Sequence, residues 1–185
     1  DFHASLAAAL YGSGQSDAAL VECKEAVRLN PAHAQAHSLM ALILRNSGRV
    51  KEALAPARQA ATLLPQFVEV QVNYGECLRE AEMSDEAATH YERAIERQLS
   101  SPDLHNNLGN VYKDQGRLDE AIAQYRKSLE LAMAPTAFSN MVYTLHYHPR
   151  YTPEMIYREL QRYDEIFVQV LKKTAKPLHN TRDPD

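Results

Sequence analysis

The sequence is short of cysteine and glycine, has no excess of positive charge, and contains no long apolar run. Its two cysteines, Cys23 and Cys77, both fall inside apolar helical pattern, so they read as inert core residues, and a reducing cytoplasmic setting is expected. No N-terminal stretch shows the charged, apolar and cleavage-site order of a signal peptide. No run reaches the ~18 apolar residues that a spanning helix needs. The formal net charge of -4 over 185 residues provides no basic field to draw in nucleic acid or an acidic membrane surface. There is no glycine-rich phosphate loop, nucleophile elbow or acid pair, and no segment alternates strands with helices as nucleotide-binding lobes do. No cofactor or catalytic residue is therefore expected, and function should lie in a binding surface.

What the chain does have is a period. In residues 102–135, Leu108, Gly109 and Tyr112 share one helical face, Gly116 breaks the helix, and Ala121, Tyr125 and Ser128 mark the inner face of a second helix. The same pattern recurs every 34 residues: Met40, Ala41, Gly48 and Ala53 in one unit, Tyr74, Gly75, Ala87 and Tyr91 in the next. This resembles the tetratricopeptide repeat, in which each helix-turn-helix unit of about 34 residues buries its apolar face only against its neighbours. The resemblance implies an all-α, right-handed superhelix (an α-α solenoid) with four repeats over residues 1–135, divided as 1–33, 34–67, 68–101 and 102–135. A single compact domain, which the length alone would suggest, is overridden by the repeat.

Small residues at Ala41, Gly75 and Gly109, and at Ala53, Ala87 and Ala121, are read as positions where bulk would hold the two helices of a hairpin apart. Turns are expected at Gly14, Gly48 and Gly116, while Glu82 stands where the third unit should have its glycine. Ser16 and Ser84 are placed to cap their helices, with Asp17, Asp85 and Glu86 in the first turns. Pro56 falls beyond the first turn of its helix, so a local bend is expected. The first repeat reads as incomplete, as if the chain started inside a longer array; an exposed apolar N-terminal edge should follow, and that edge offers a route to self-association.

After Pro135 the pattern changes. Phe138, Met141, Val142 and Leu145 continue one more first-type helix, but Tyr143 takes the place of the small residue and HYHPRYTP ends the helix at two prolines. A further helix starts at Pro153 with an apolar stripe of Ile156, Leu160, Tyr163, Phe167 and Val170. Residues 136–173 are read as capping helices and 174–185 as a linker. The run SNMVYTLHYHPRYTPEMIYREL, with a linker ending HNTRDPD, resembles the segment joining repeats to the catalytic domain in bacterial O-linked N-acetylglucosamine transferase-like, SPINDLY-type glycosyltransferases. The run NNLGNVYKDQGRLDEAIAQYRKSLEL is also similar to repeats of that family. The resemblance implies the acceptor-recognition arm of a protein O-glycosyltransferase without its catalytic lobes, so no catalytic residue carries over.

Binding residues are expected on the first helix of each unit, which lines the concave face. Glu69, Asn73, Glu76 and Glu80 form one stripe at helical steps, and Asp103, Asn107, Asn110 and Asp114 repeat it one unit later. Drawn from these stripes, and with Lys113 added, the candidate peptide-binding set is Asn73, Glu76, Glu80, Asn107, Asn110, Lys113 and Asp114. Asn73 and Asn107 occupy the place where the O-linked transferases show a ladder of asparagines. An amide suits that task because it can donate to and accept from a peptide backbone, and both side chains are expected to face solvent. Gln35, Leu39, Leu42 and Asn46 break the ladder in the second unit. The same residues also fit an ordinary solvated helix face. The expected partner is a protein or peptide, and the alternative to a transferase arm is a free-standing adaptor or co-chaperone.

Histidines rank lower. His33 and His37 lie four apart, but no third ligand completes a zinc site, and they are read as surface residues. His146 and His148 are assigned a structural role at the array end. Calorimetric titration of a uridine-diphosphate sugar into this chain is expected to give no saturable binding; a saturable isotherm would refute the non-catalytic reading.

Overall fold

The structure, a computed structural model, describes residues 2–99 and 101–174, with side chains through residue 166. The described residues form ten helices and no strand: α1 (Phe2–Gly12), α2 (Ser16–Leu29), α3 (Ala34–Asn46), α4 (Val50–Leu63), α5 (Val68–Glu80), α6 (Ser84–Glu96), α7 (Pro102–Asp114), α8 (Leu118–Leu131), α9 (Pro135–Tyr147) and α10 (Pro153–Thr174). This is the all-α helical repeat fold. The span 175–185, most of the proposed linker, lies outside the described residues.

Each helix packs on the next, and the odd-numbered helices α1, α3, α5, α7 and α9 also pack on one another in series. The even-numbered helices α2, α4, α6 and α8 do not touch one another. The odd helices are therefore the inner layer and the even helices the outer one. One core runs from α5 to α10 and a second joins α1 to α5, with Leu54 and Tyr74 packed against both.

The tight turn inside each unit is a backbone motif. Gly14, Gly48 and Gly116 adopt left-handed φ of 82°, 72° and 74°, and the amide that follows each donates to the carbonyl five residues back, as in Gln15 to Leu10 at 2.9 Å and Arg117 to Tyr112 at 2.8 Å. The third unit makes the same bond, Met83 to Leu78 at 2.9 Å, with Glu82 forced to a φ of 63°. The turn thus survives loss of its glycine at a conformational cost of about 1 kcal/mol. This geometry corrects the serine caps. Gln15 and Met83, which close the turns, are themselves the residues before the helices, so Ser16 and Ser84 fall one step inside and cap nothing. Helix α4 runs unbroken through the buried Pro56.

The small residues of the inner helices have definite partners. A methyl group built on Gly75 would lie 2.2 Å from Cζ of Tyr91, and one on Gly109 would lie 2.6 Å from Cε1 of Tyr125. Both tyrosines are fully buried. One unit earlier the same two positions hold Ala41 and Ala57, and one earlier again Ala7 and Cys23, all buried. Volume is exchanged between facing helices, as close packing requires. In the last unit Tyr143 stands at the glycine position and is 56% exposed. At the other end of the array Phe2, Val21 and Leu29 are exposed.

Two expectations follow. Gly75→Ala overpacks the contact and is expected to cost about 1–3 kcal/mol, but in the Tyr91→Ala background the same change should cost far less, since the clashing ring is gone. A double-mutant cycle from urea melts reads this coupling, and strict additivity would show that the ring and the glycine do not interact. Glu82→Gly should raise stability by up to about 1 kcal/mol in the same melts, by relieving the left-handed strain; a loss of stability would contradict the turn geometry.

Candidate functional site

A cleft of about 600 Å³ opens on the inner layer between α5, α7 and the connection into α9. Glu76 and Arg79 of α5 form one side, Asp103, Asn106, Asn107 and Asn110 of α7 the middle, and Met133, Pro135 and Thr136 the far wall. No histidine or cysteine lines it. Helical spacing explains the cluster: 103, 106, 107 and 110 fall at steps of three and four and share one face of α7.

The amides of the cleft are held in a relay. Asn140 of α9 donates Nδ2 to Oδ1 of Asn106 at 3.0 Å, and Asn106 donates its own Nδ2 to Oδ1 of Asn107 at 3.2 Å. Asn110 accepts from the Tyr125 hydroxyl at 2.9 Å. The Tyr91 hydroxyl donates to the Val72 carbonyl at 3.2 Å and also lies within reach of Asn107. Burial pushes the Tyr125 phenol up to about 12, and burial raises Tyr91 as well, so both remain neutral donors. The packing tyrosines therefore orient the amides of the inner face.

The charged residues of the predicted set are engaged with one another across units. Arg45 pairs with Glu76, and its Nε lies 4.0 Å from Glu80. One unit on, Arg79 pairs with Asp114 at 3.0 Å. One unit further, the Lys113 ammonium sits 5.7 Å from the centre of the Tyr143 ring. Of the residues singled out by sequence, Glu76, Asn107 and Asn110 come together in the cleft, while Asn73, Glu80, Lys113 and Asp114 lie outside it. Asn73 and Asn107 are half-buried rather than solvent-facing, because the inner helices approach closely. Sequence reasoning passed over Asn106 and Asn140, although their separation of one full repeat was itself a signal.

The histidines have structural work. His33 caps α3 by accepting from the Ala36 amide, and His37 is buried, with Nε2 2.9 Å from the Pro31 carbonyl; the reading of His37 as a surface residue is thereby corrected. Buried His148 contacts Asp119 through Nε2 at 3.1 Å and accepts from the Arg150 amide through Nδ1, tying the turn after α9 to the start of α8. Burial pushes the Cys23 and Cys77 thiols up to about 11, leaving them protonated near neutrality. Among the described residues no helix is long and apolar enough to cross a membrane.

Comparison with solved structures finds the same fold at low identity. MamA (residue 41 to the end) from Desulfovibrio magneticus RS-1 is 14% identical, with a TM-score of 0.74 over 94% of this chain and 96% of that one. PilF of Pseudomonas aeruginosa is 24% identical, with a TM-score of 0.74 over 91% of this chain and 75% of that one. No curated protein matches. Tetratricopeptide repeat models match residues 5–66 and 102–132, and a further TPR repeat model matches 75–116. With the matched segments together spanning more than half of its length, and with the helix pairs stacked as described, the chain belongs to the tetratricopeptide repeat family.

Proposed function

We propose that the inner face of the third and fourth repeats binds an extended peptide or a partner-protein segment, making the chain an interaction scaffold rather than an enzyme. The observation that carries this is the polar cleft of α5, α7 and the α9 connection, in which Asn106, Asn107 and Asn110 are oriented by their own hydrogen bonds. The Asn107 amide nitrogen keeps donors for a peptide carbonyl. Asn73 carries no side-chain hydrogen bond among the described residues and extends the polar track along α5.

A finer reading assigns this surface to the acceptor-recognition arm of a protein O-glycosyltransferase. Its support is the sequence run from Ser139 to Leu160, which forms the end of α9, the break at His148 to Thr152 and the start of α10. Reading the gene beyond Asp185 tests it: continuation into a two-lobed glycosyltransferase domain supports the arm, and any other continuation favours a free-standing adaptor or co-chaperone.

Removing both amides, Asn73→Ala with Asn107→Ala, is expected to weaken binding of peptides selected from a display library about ten-fold or more. Each hydrogen bond is worth about 0.5–1.5 kcal/mol net, and ~1.4 kcal/mol is a factor of ten. Asn107→Ala should also lower stability by about 0.5–1.5 kcal/mol through its lost contacts with Asn106 and Tyr91, whereas Asn73→Ala alone should leave the thermal melt almost unmoved. Unchanged peptide affinity in the double variant would remove the cleft from consideration.

A further inference from the structure

The outer layer holds a second site. Because α4 and α6 do not touch, a cleft of about 560 Å³ opens between them, with Gln71, Tyr74 and Leu78 of α5 lining its floor. Three arginines line this cleft: Arg58 of α4, and Arg93 and Arg97 at the end of α6. Their side chains make no ion pair and no hydrogen bond among the described residues. Every other arginine between residues 2 and 135 is held by a carboxylate. Arg158 and Arg162 of α10 are likewise unpaired among the described residues, so three of five such guanidinium groups line this one cleft.

That gathering is unfavourable without a counter-charge. Arg93 and Arg97 are four residues apart on one helix face, where like charges repel, and Arg58 adds a third cation from the opposite wall. The dipole at the carboxyl end of α6 favours the first two, but Arg58 lies more than a turn before the end of α4 and gains little from it. Two acids also line the cleft, Asp85 and Glu86. They belong to the first turn of α6, with Asp85 about 12 Å from Arg93 along the helix axis, and the Asp85 carboxylate accepts from Gln115 at 2.8 Å. His90 adds no charge to the cleft near neutrality: burial, reinforced by the charges of Arg97 and Arg93, holds its pKa below the usual histidine range, and its Nε2 lies 2.9 Å from the Gln71 carbonyl.

We propose that the cleft between α4 and α6 is an anion site for a phosphomonoester, clasped by Arg58, Arg93 and Arg97. The planar guanidinium fork matches phosphate oxygens two at a time. Three arginines outnumber the two acids of the cleft and suit a dianion better than a single carboxylate, and the cleft is within the size range of small-ligand sites, about 300–1,000 Å³. The dianionic phosphate group is the chemistry recognised, whether it is carried by a small molecule or by a peptide side chain.

The test uses the full chain and inorganic phosphate at constant ionic strength, with chloride as the balancing ion, followed by amide chemical-shift titration. Phosphate is expected to bind saturably, with shifts centred on α6 residues 90–97. Arg93→Gln with Arg97→Gln should weaken it at least ten-fold, Arg58→Gln should weaken it several-fold, and Lys51→Gln on the same outer helix α4 should leave it unchanged. Wild-type affinity in the double arginine variant, equal loss in Lys51→Gln, or an equal response to chloride would overturn the site. The source is read from two further probes: tighter binding of a phosphoserine peptide than of its unphosphorylated form and of glycerol phosphate identifies a peptide ligand, and equal binding of phosphopeptide and glycerol phosphate identifies the phosphate group alone.

Discussion

The fold depends on a tyrosine ring occupying space that a glycine leaves empty. In the third and fourth units the outer helix contributes the ring, Tyr91 or Tyr125, and the inner helix the gap, Gly75 or Gly109. The earlier units place two small residues at these positions, Ala41 with Ala57 and Ala7 with Cys23. The two facing positions therefore change together from unit to unit, a ring being admitted only where the opposite side chain is absent. Interiors are packed too densely to accept a change on one side alone. The tyrosine arrangement adds something the alanine arrangement lacks, because each ring carries a hydroxyl through to the inner face, where it meets Val72 and Asn107 or Asn110. Core packing and the orientation of the inner-face amides are in this way one interaction.

Curvature follows from the same contacts. Inner helices pack in series while outer helices do not, so the array bends with the odd-numbered helices inside. The two faces acquire different chemistry as a result. On the inside, side chains from consecutive units reach one another, and the arginines of one unit find the acids of the next. On the outside, the gap between α4 and α6 keeps Arg58, Arg93 and Arg97 from the inter-unit partners that their inner counterparts have.

Much of this architecture was legible in the sequence because the period constrains it twice, once through small residues and once through turn glycines. The helix pairs, the turns at Gly14, Gly48 and Gly116, and the change of character after Pro135 all have local chemical signatures. Ser16 and Ser84 misled because a residue-type preference for capping was applied without the turn, whose backbone already supplies the preceding position. Glu82 shows the converse: a turn lacking its glycine still forms when the flanking helices hold the ends. The candidate site was less legible. A helical stripe drawn through Asn107 found Asn110 but missed Asn106, since a groove between two helices is wider than one stripe. The burial of Asn73, Asn107 and His37 depends on how closely neighbouring units approach, which no local pattern encodes.

The inter-unit charges bear on what the inner face can select. Its arginines are already matched, Arg45 with Glu76 and Glu80, then Arg79 with Asp114, so a ligand that engages either arginine must displace a pair before forming one. Exposed pairs of this kind are worth only about 0–1 kcal/mol, which makes displacement feasible where solvent reaches them and harder where it does not. The two rungs differ in this respect: the Arg45 side chain is 16% exposed, against 35% for Arg79. The second rung is consequently the more readily displaced of the two. The amide cleft lies beside this second rung, with Arg79 itself on its wall. If the inner face binds a peptide as proposed, backbone recognition by neutral amides and charge selection through Arg79 would converge on the third and fourth units. A ligand whose acidic group replaces Asp114 would gain discrimination more than raw affinity, since the pair it forms resembles the pair it breaks.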